Sequence, residues 1–404
     1  MAGHRPPGDD FAFLDDVNAV AVAVSGGSDS LALLHLVAEA RLRRRPALRL
    51  WALTVDHGLR PEAAAEAEQV AAWCAALAVP HVILRWEGEK PRSAIQARAR
   101  VARYRLLADW CRGHDVPVLL TGHTREDQAE TVLMRQRRTT SALSLAGIWG
   151  ERTVEGVRLL RPLLHRRRAE LRQMLAARGQ GWIDDPANEQ VRFERVRLRR
   201  ELAAVSVDPL LAQAAAAQRQ TLAAAARANE VLKRHGQISV LGYAQMARQG
   251  LAELDGLAAE MLVEALLRGL GGGRGAEAAR RRALLAWLGT GGAGRRTLAG
   301  ALVVKRQRTI VVLREPGRLA PFPEALPAGG RMDWDGRFRL TGAPGTEVAV
   351  ARQGHRPARV PAALHQTLPE LRGDGQRVFV GLQRLEDTIY ERVMLGIALS
   401  PSYL

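Results

Sequence analysis

Six consecutive residues, Ser25-Gly26-Gly27-Ser28-Asp29-Ser30, carry the groups that a phosphate-binding turn needs. The two glycines let backbone amides approach an anion closely, and the serines add hydroxyl donors. Asp29 is the odd member, because a carboxylate repels phosphate unless a cation lies between them; Mg2+ is the simplest such cation. The turn is neither the GxxxxGK[ST] phosphate loop nor the GxGxxG dinucleotide turn. A second set of acids lies in Gly122-His123-Thr124-Arg125-Glu126-Asp127-Gln128-Ala129-Glu130. Asp127 and Glu130 are three residues apart where a helix is expected to begin near Asp127, so both carboxylates share a face close to the positive end of the helix dipole. With Asp29 they could hold Mg2+ against a triphosphate.

The elements around these residues explain how they could meet. Residues 19–24 alternate Ala and Val as a buried strand of a parallel sheet, and the following LALLHLVAEA has helical spacing, so the serine-glycine turn joins a strand's carboxyl end to a helix's amino end. Free N–H groups and the helix dipole then point at whatever occupies the turn. Further strands are expected over Leu48–Val55, His81–Trp86 and Val116–Thr121, and a short one over Arg158–Leu164, stopped by Pro162. Helices are expected between them, one around Ala94–Arg112 and another over Arg167–Arg178. Strand and helix in this order predict an α/β fold, a doubly wound parallel sheet whose ligands bind along the strands' carboxyl edge. A very basic helix follows over Arg192–Arg200, and Val207-Asp208-Pro209 opens an alanine-rich helix running to about Lys233. Helical patterns dominate to Leu288. From Thr297 the period changes to two, with a hairpin over 301–304 and 309–313 and a strand pair around Asp335-Gly336. The division expected is a sheet domain over 1–205, a helical domain over 206–292 that binds nucleic acid, and a small β-containing C-terminal region over 293–404.

Composition narrows the class. The chain has 404 residues, 47% of them hydrophobic and 25% charged, as in soluble globular proteins, and its apolar runs are too short and broken to suggest a membrane span. The amino terminus does not read as a secretion signal, and the two cysteines, Cys74 and Cys111, have no metal spacing; a cytoplasmic setting is expected. A net charge of +17, with arginines in clusters, favours a polyanionic partner, and nucleic acid first. Arg192, Arg195, Arg197 and Arg199 are the best candidates for phosphate contacts, because so many cations on one short helix otherwise repel one another.

Several motifs in one order then become specific. SGGSDS at 25–30, DHGLR at 56–60, ARVARY at 99–104, GHTREDQAETVL at 122–133, RPLL at 161–164 and DDPAN at 184–188 together resemble the tRNA(Ile)-lysidine synthetase family of PP-loop ATP pyrophosphatases. The similarity is strong over roughly residues 15–205 and looser beyond. It implies that ATP adenylates the C2 carbonyl oxygen of the wobble cytidine in tRNA(Ile) with a CAU anticodon, and that free L-lysine then displaces AMP to give lysidine. It also implies ATP and Mg2+ as cofactors, a nucleotide site at Ser25, Gly26, Gly27, Ser28, Asp29, Ser30, His57 and His123, and catalytic roles for Asp29, Asp127, Glu130 and Arg100. The first three of these are the metal ligands, and Arg103 is a tRNA contact. His57 either touches the nucleotide or bonds locally. A homodimer is kept open. The chain departs from the family pattern at Arg137-Arg138-Thr139-Thr140-Ser141, where Arg-Gly-Ser-Gly is expected, and at Arg195-Val196, where Arg-Asn is expected. Two alternatives follow: a divergent, weakly active or inactive member that binds ATP and tRNA, or another PP-loop tRNA-modifying enzyme. Thiolation by the latter needs cysteines for persulfide transfer or a cluster.

Overall fold

The computed structural model describes residues 10–350 and 367–378, apart from breaks at 59–61, 89, 91–92, 94, 140, 185–193, 203–204, 240, 274, 322–324, 329, 336–337 and 374–375. The chain divides into two compact units, Met1–Gln218 and Arg219–Leu404.

In the first unit the expected alternation is present. β1 (Ala19–Ala23), α1 (Ser28–Arg44), β2 (Arg49–Asp56), α2 (Ala63–Ala76), β3 (His81–Arg85), α3 (Ile95–Gly113), β4 (Val118–Thr121) and α4 (Arg125–Gln136) follow one another. After the short α5 (Ala142–Leu145) come β5 (Glu151–Val154), β6 (Val157–Leu160), α6 (Arg168–Ala177), α7 (Glu194–Leu202) and α8 (Asp208–His235), within which the division between the two units falls. The sheet order is β3-β2-β1-β4-β6-β5, parallel except for β5 against β6.

The composition of β1 explains its central place. Val20 and Val22 face one buried cluster with Leu31, Leu34 and Val37 of α1, while Ala19 and Ala21 face another with Tyr104, Leu107 and Cys111 of α3. Both faces are covered, as a parallel sheet requires, and the small alanines leave room for the bulkier side chains of α3. β1 lies between β2 and β4, with Val22 opposite both Ala52 and Leu120. The chain steps outward in one direction through β2 and β3, then returns to β4 on the other side. The strand order therefore reverses between β1 and β4, where doubly wound sheets open a crevice.

Three local differences from expectation have simple causes. α4 starts at Arg125, because Thr124 and Asp127 form a capping box that opens the helix earlier. The strand expected at 158–164 ends at Leu160, and a positive-φ turn at Glu155 and Gly156 returns the unforeseen partner β5 onto it. α3 begins at Ile95 and extends to Gly113.

In the second unit a five-stranded antiparallel sheet interrupts the stretch expected to be helical. β7 (Gly236–Ser239) and β8 (Tyr243–Ala247) precede α9 (Arg248–Ala252), α10 (Gly256–Leu270) and α11 (Ala278–Gly289), and β9 (Gly294–Leu298), β10 (Ala301–Lys305) and β11 (Thr309–Arg314) complete it in the order β7-β8-β11-β10-β9. GQIS and YAQMA are too short and polar to announce themselves as strands; β8 is held by its ladder to β11. The expected hairpin at 301–313 is β10 and β11, with Val303 opposite Val312. Met246, Leu266, Leu284, Val303 and Ile310 converge beneath it. A hairpin of β12 (Arg331–Trp334) and β13 (Phe338–Thr341) matches the strand pair expected around Asp335-Gly336, and β14 (Glu347–Val350), β15 (Pro369–Gly373) and β16 (Gln376–Val378) form a last small sheet. Trp334 is buried and donates its indole N–H to the Pro321 carbonyl at 3.0 Å, a packing role rather than an exposed platform.

Candidate active site

Where β1 and β4 part, the residues singled out by chemistry come together. Gly27 is the N-cap of α1 and offers no side chain to the first turn; the Ser30 amide bonds back to the Gly27 carbonyl at 3.1 Å, and the amides of Ser28 and Asp29 are left for a ligand. Ser30 shapes the loop from within: its hydroxyl donates to the Gly27 carbonyl at 2.9 Å and accepts from the Ser25 amide at 3.1 Å. Gly26 has φ +82°, and a Cβ there would sit 2.7 Å from Ile183 Cδ1. Ile183 in turn donates its amide to the Gly26 carbonyl at 2.9 Å, so the segment before Asp184 lies against the loop. A cavity of about 590 Å3 opens here, lined among others by Ser25, Gly27, Ser28, Asp29, Ser30, His123 and Asp127. Ligand pockets for molecules of drug or nucleotide size fall in this range.

Asp29, Asp127 and Glu130 do approach one another, around an arginine. Arg168 donates from Nε to Asp29 at 2.8 Å and from Nη2 to Asp127 at 3.2 Å, and its Nη1 lies 4.0 Å from Glu130. The other oxygen of Asp127 accepts from the Thr124 amide and hydroxyl, at 2.9 and 3.2 Å. Glu130 is 1% exposed and is held by Arg199 Nε at 2.9 Å, while its Oε2 has no hydrogen-bond partner among the described residues. Burial pushes the Asp29 carboxyl above the ordinary aspartate range; Arg168 opposes that rise and Asp127 adds to it. As a cage for one Mg2+ this set does not fit. Among the described residues no group of three or more His, Cys, Asp or Glu comes together to hold a metal ion, and the place between Asp29 and Asp127 belongs to a guanidinium.

The opposite wall carries cations. Arg100 and Arg103 line the cavity with Tyr104, whose buried ring has the Arg100 guanidinium at 5.2 Å and that of Arg152 at 4.6 Å. Arg161 is 4% exposed and donates to the Trp149 carbonyl at 2.6 Å, and its Nε has no hydrogen-bond partner among the described residues. None of Arg100, Arg103, Arg152 and Arg161 forms an ion pair among the described residues, and burial beside the others lowers Arg152 to about 10. Such a wall attracts anions.

The remaining expected residues fall in different places. His123 lines the cavity and ties its Nδ1 to the Thr121 hydroxyl at 3.1 Å, ordering the loop after β4. His57 lies outside the cavity lining and accepts from Arg103, 3.3 Å from Nη2, with Trp86 edge-on at 5.9 Å. Burial first, and then the charge of Arg103, lowers His57 to about 4, so it is neutral at physiological pH. Arg199 turns inward to Glu130, whereas Arg197 is exposed on α7. Arg195 is on the same helix; Arg192, Arg60 and residues 185–188 of the DDPAN motif lie outside the described residues. Sequence reasoning missed Arg152, Arg168 and Arg172. The last donates to the Ser28 hydroxyl at 3.3 Å and to Asp184 at 2.8 Å. Arg168 and Arg172 line the cavity, while Arg152 stands over the Tyr104 ring outside its lining; the only signal for them is position, since each comes from an element whose own pattern looks structural. The segment that departs from the family's glycines lies outside the cavity lining, and none of Arg137, Arg138, Thr139 and Ser141 has positive φ, so glycine is not demanded there. Both cysteines are buried and free, and burial raises Cys74 to about 11 and Cys111 to about 12, which leaves neither as a thiolate for sulfur transfer.

Comparison with known proteins agrees with this geometry. Residues 9–206 match the model of the PP-loop domain family, ATP_bind_3. The tRNA(Ile)-lysidine synthase of Rhizobium meliloti (strain 1021) is 37% identical over 354 residues, 83% of this chain and 76% of that protein. That of Methylobacterium nodulans (strain LMG 21967 / CNCM I-2342 / ORS 2060) is 40% identical over 316 residues, covering 74% and 91%. That of Hyphomonas neptunium (strain ATCC 15444) reaches 52% over 192 residues, covering 45% and 50%. An ATP-binding PP-loop at the sheet's switch point, in a chain alike to these enzymes well beyond that domain, makes this protein a member of the tRNA(Ile)-lysidine synthase family.

Proposed function

We propose that the chain is an ATP-dependent ligase that converts the wobble cytidine of tRNA(Ile) with a CAU anticodon to lysidine. One observation carries this reading: the open first turn of α1, the carboxylates of Asp29 and Asp127, and the arginine wall of Arg100 and Arg103 share a single cavity. In the first step the cytidine C2 oxygen attacks the α-phosphorus of ATP; an O–P bond forms and pyrophosphate leaves. In the second the lysine ε-amine forms a C–N bond at C2 as the C2–O bond breaks and AMP departs.

The chain's residues divide these tasks by charge. Amides of Ser28 and Asp29 and the hydroxyls of Ser25 and Ser28 take the nucleotide phosphates, with the α1 dipole favouring the charge that develops on pyrophosphate. Arg100 and Arg103 receive anionic groups of the nucleotide or tRNA backbone. Asp29, Asp127 and Asp184 are the carboxylates that line the cavity, and of these Asp29 and Asp127, beside the open turn, receive the lysine ammonium and take its proton before attack; Glu130 is buried behind them and does not line the cavity. Mg2+, if bound, would come with ATP as the counter-ion of its phosphates and would offset their negative charge. No helix among the described residues is long and apolar enough to cross a membrane, and a tRNA substrate with free lysine fits the cytoplasm.

The test is pyrophosphate release on mixing the protein with ATP, Mg2+ and unmodified tRNA(Ile). Release should depend on that tRNA, and Asp29→Ala should lower its rate by at least about 1000-fold while tRNA affinity stays within about threefold. Persistent tRNA binding with no pyrophosphate above background would leave a binding protein instead.

A further inference from the structure

The carboxylates expected to hold a metal are held by an arginine, and we propose that Arg168 is the resident cation of this site, a positioning residue that fixes Asp29 and Asp127 and keeps a divalent ion from settling between them. What this positioning serves rests on the ligase reading; the ion pairs themselves do not.

Arg168 stands at the first position of α6, and its guanidinium reaches the first turns of α1 and α4. Its backbone amide also donates to Glu126 at 3.0 Å, so main chain and side chain both bind the start of α4. Three helix amino termini, each the positive end of a dipole, thus surround one more positive charge. That arrangement is repulsive unless the carboxylates compensate it. The cation is accordingly there for Asp29, Asp127 and Glu130, and they are there with it. Arginine suits the task because its planar fork serves two carboxylates from Nε and Nη2 at fixed separation, which an ammonium cannot do. A divalent ion between Asp29 and Asp127 would stand in the guanidinium's place and be repelled by it. Nη1 makes no hydrogen bond among the described residues, and Arg168 lines the cavity, so one end of the fork is left for a substrate oxygen.

Electron paramagnetic resonance of Mn2+ added to the ATP-free protein decides this. The wild-type chain should leave the free Mn2+ signal intact up to about 10⁻³ M, whereas Arg168→Gln should bind about one ion with a Kd near 10⁻⁴ M, lost again when Asp29→Asn is added. A wild-type site of about 10⁻⁴ M or tighter that disappears in Asp29→Asn would overturn the proposal, and that measurement needs no Arg168 variant to fold. A folded Arg168→Gln chain that binds no Mn2+ would overturn it too. In pyrophosphate release, Arg168→Gln should lower kcat about 100-fold with the KM for ATP changed less than about threefold, and Arg168→Lys should recover about tenfold of the loss. A loss confined to KM would make Arg168 a nucleotide ligand and contradict the positioning role. If the wild-type chain releases no pyrophosphate, the ligase reading falls, and the Mn2+ result still decides the role of Arg168.

Discussion

Asp29 and His57 show how neighbours set the charge state of a residue in this protein. Asp29 is pushed toward its neutral form by burial and is kept in an ion pair by Arg168 at 2.8 Å. His57 is likewise driven toward its neutral form, which for a base means a lowered value, to about 4 from an ordinary 6.5, first by burial and then by Arg103. The sign follows directly: the unfolded chain takes up a proton at His57 below pH 6.5, the folded chain only near pH 4, so this residue removes stability as pH falls between those values and has no effect above them. The His57 ring resonance should therefore titrate with a midpoint near pH 4, and Arg103→Gln should raise the midpoint without restoring 6.5, because burial is the larger cause. A wild-type midpoint in the ordinary range would contradict the packing of His57 against Arg103 and Trp86. Asp29, Asp127 and Glu130 were legible as a carboxylate group from type and spacing. Their partner was not, because Arg168 is 41 residues from Asp127 in sequence and is one arginine among many.

At the scale of elements, the site depends on how closely the loops after β1 and β4 approach. A Cβ at Gly122 would sit 2.6 Å from the backbone oxygen of Asp29, and backbone cannot step aside as a side-chain tip can. Gly122→Ala should thus force the two loops apart, destabilising the fold by about 1–3 kcal/mol and lowering pyrophosphate release at least about tenfold. Urea unfolding and steady-state rates measure the two effects, and a variant with unchanged stability and activity would refute the close approach. Most of this level was readable: β1, α1, β4 and α4 follow from hydrophobic period and turn chemistry. β5, β7 and β8 were not, since four- or five-residue strands such as GQIS carry too little periodicity and are fixed by the ladders they join.

For the molecule as a whole, the charge of +17 is distributed with purpose in each unit, and part of it is buried. In the second unit Glu264, 1% exposed, accepts from Arg268 at 2.6 Å and from Arg281 at 3.3 Å, and Lys305 is buried against the carbonyls of Trp287, Thr290 and Gly291. Glu264→Ala takes the carboxylate from Arg268 and leaves Arg281 only the longer contact to Glu260 at 3.7 Å, and should lower the stability of this unit by about 3–5 kcal/mol, seen as an earlier urea transition. A change within about 0.5 kcal/mol would mean that solvent screens these charges. Composition alone made nucleic acid the favoured partner but could not separate arginines that face solvent from those that neutralise buried acids, as Arg197 and Arg199 do on one helix. The central claim, that this cavity joins lysine to a tRNA cytidine, is tested most directly by mass spectrometry of nucleosides from unmodified tRNA(Ile) after incubation with the protein, ATP, Mg2+ and lysine. Lysidine should appear in place of cytidine at the wobble position and should be absent with Asp29→Ala; cytidine left unmodified by the wild-type chain would contradict the claim.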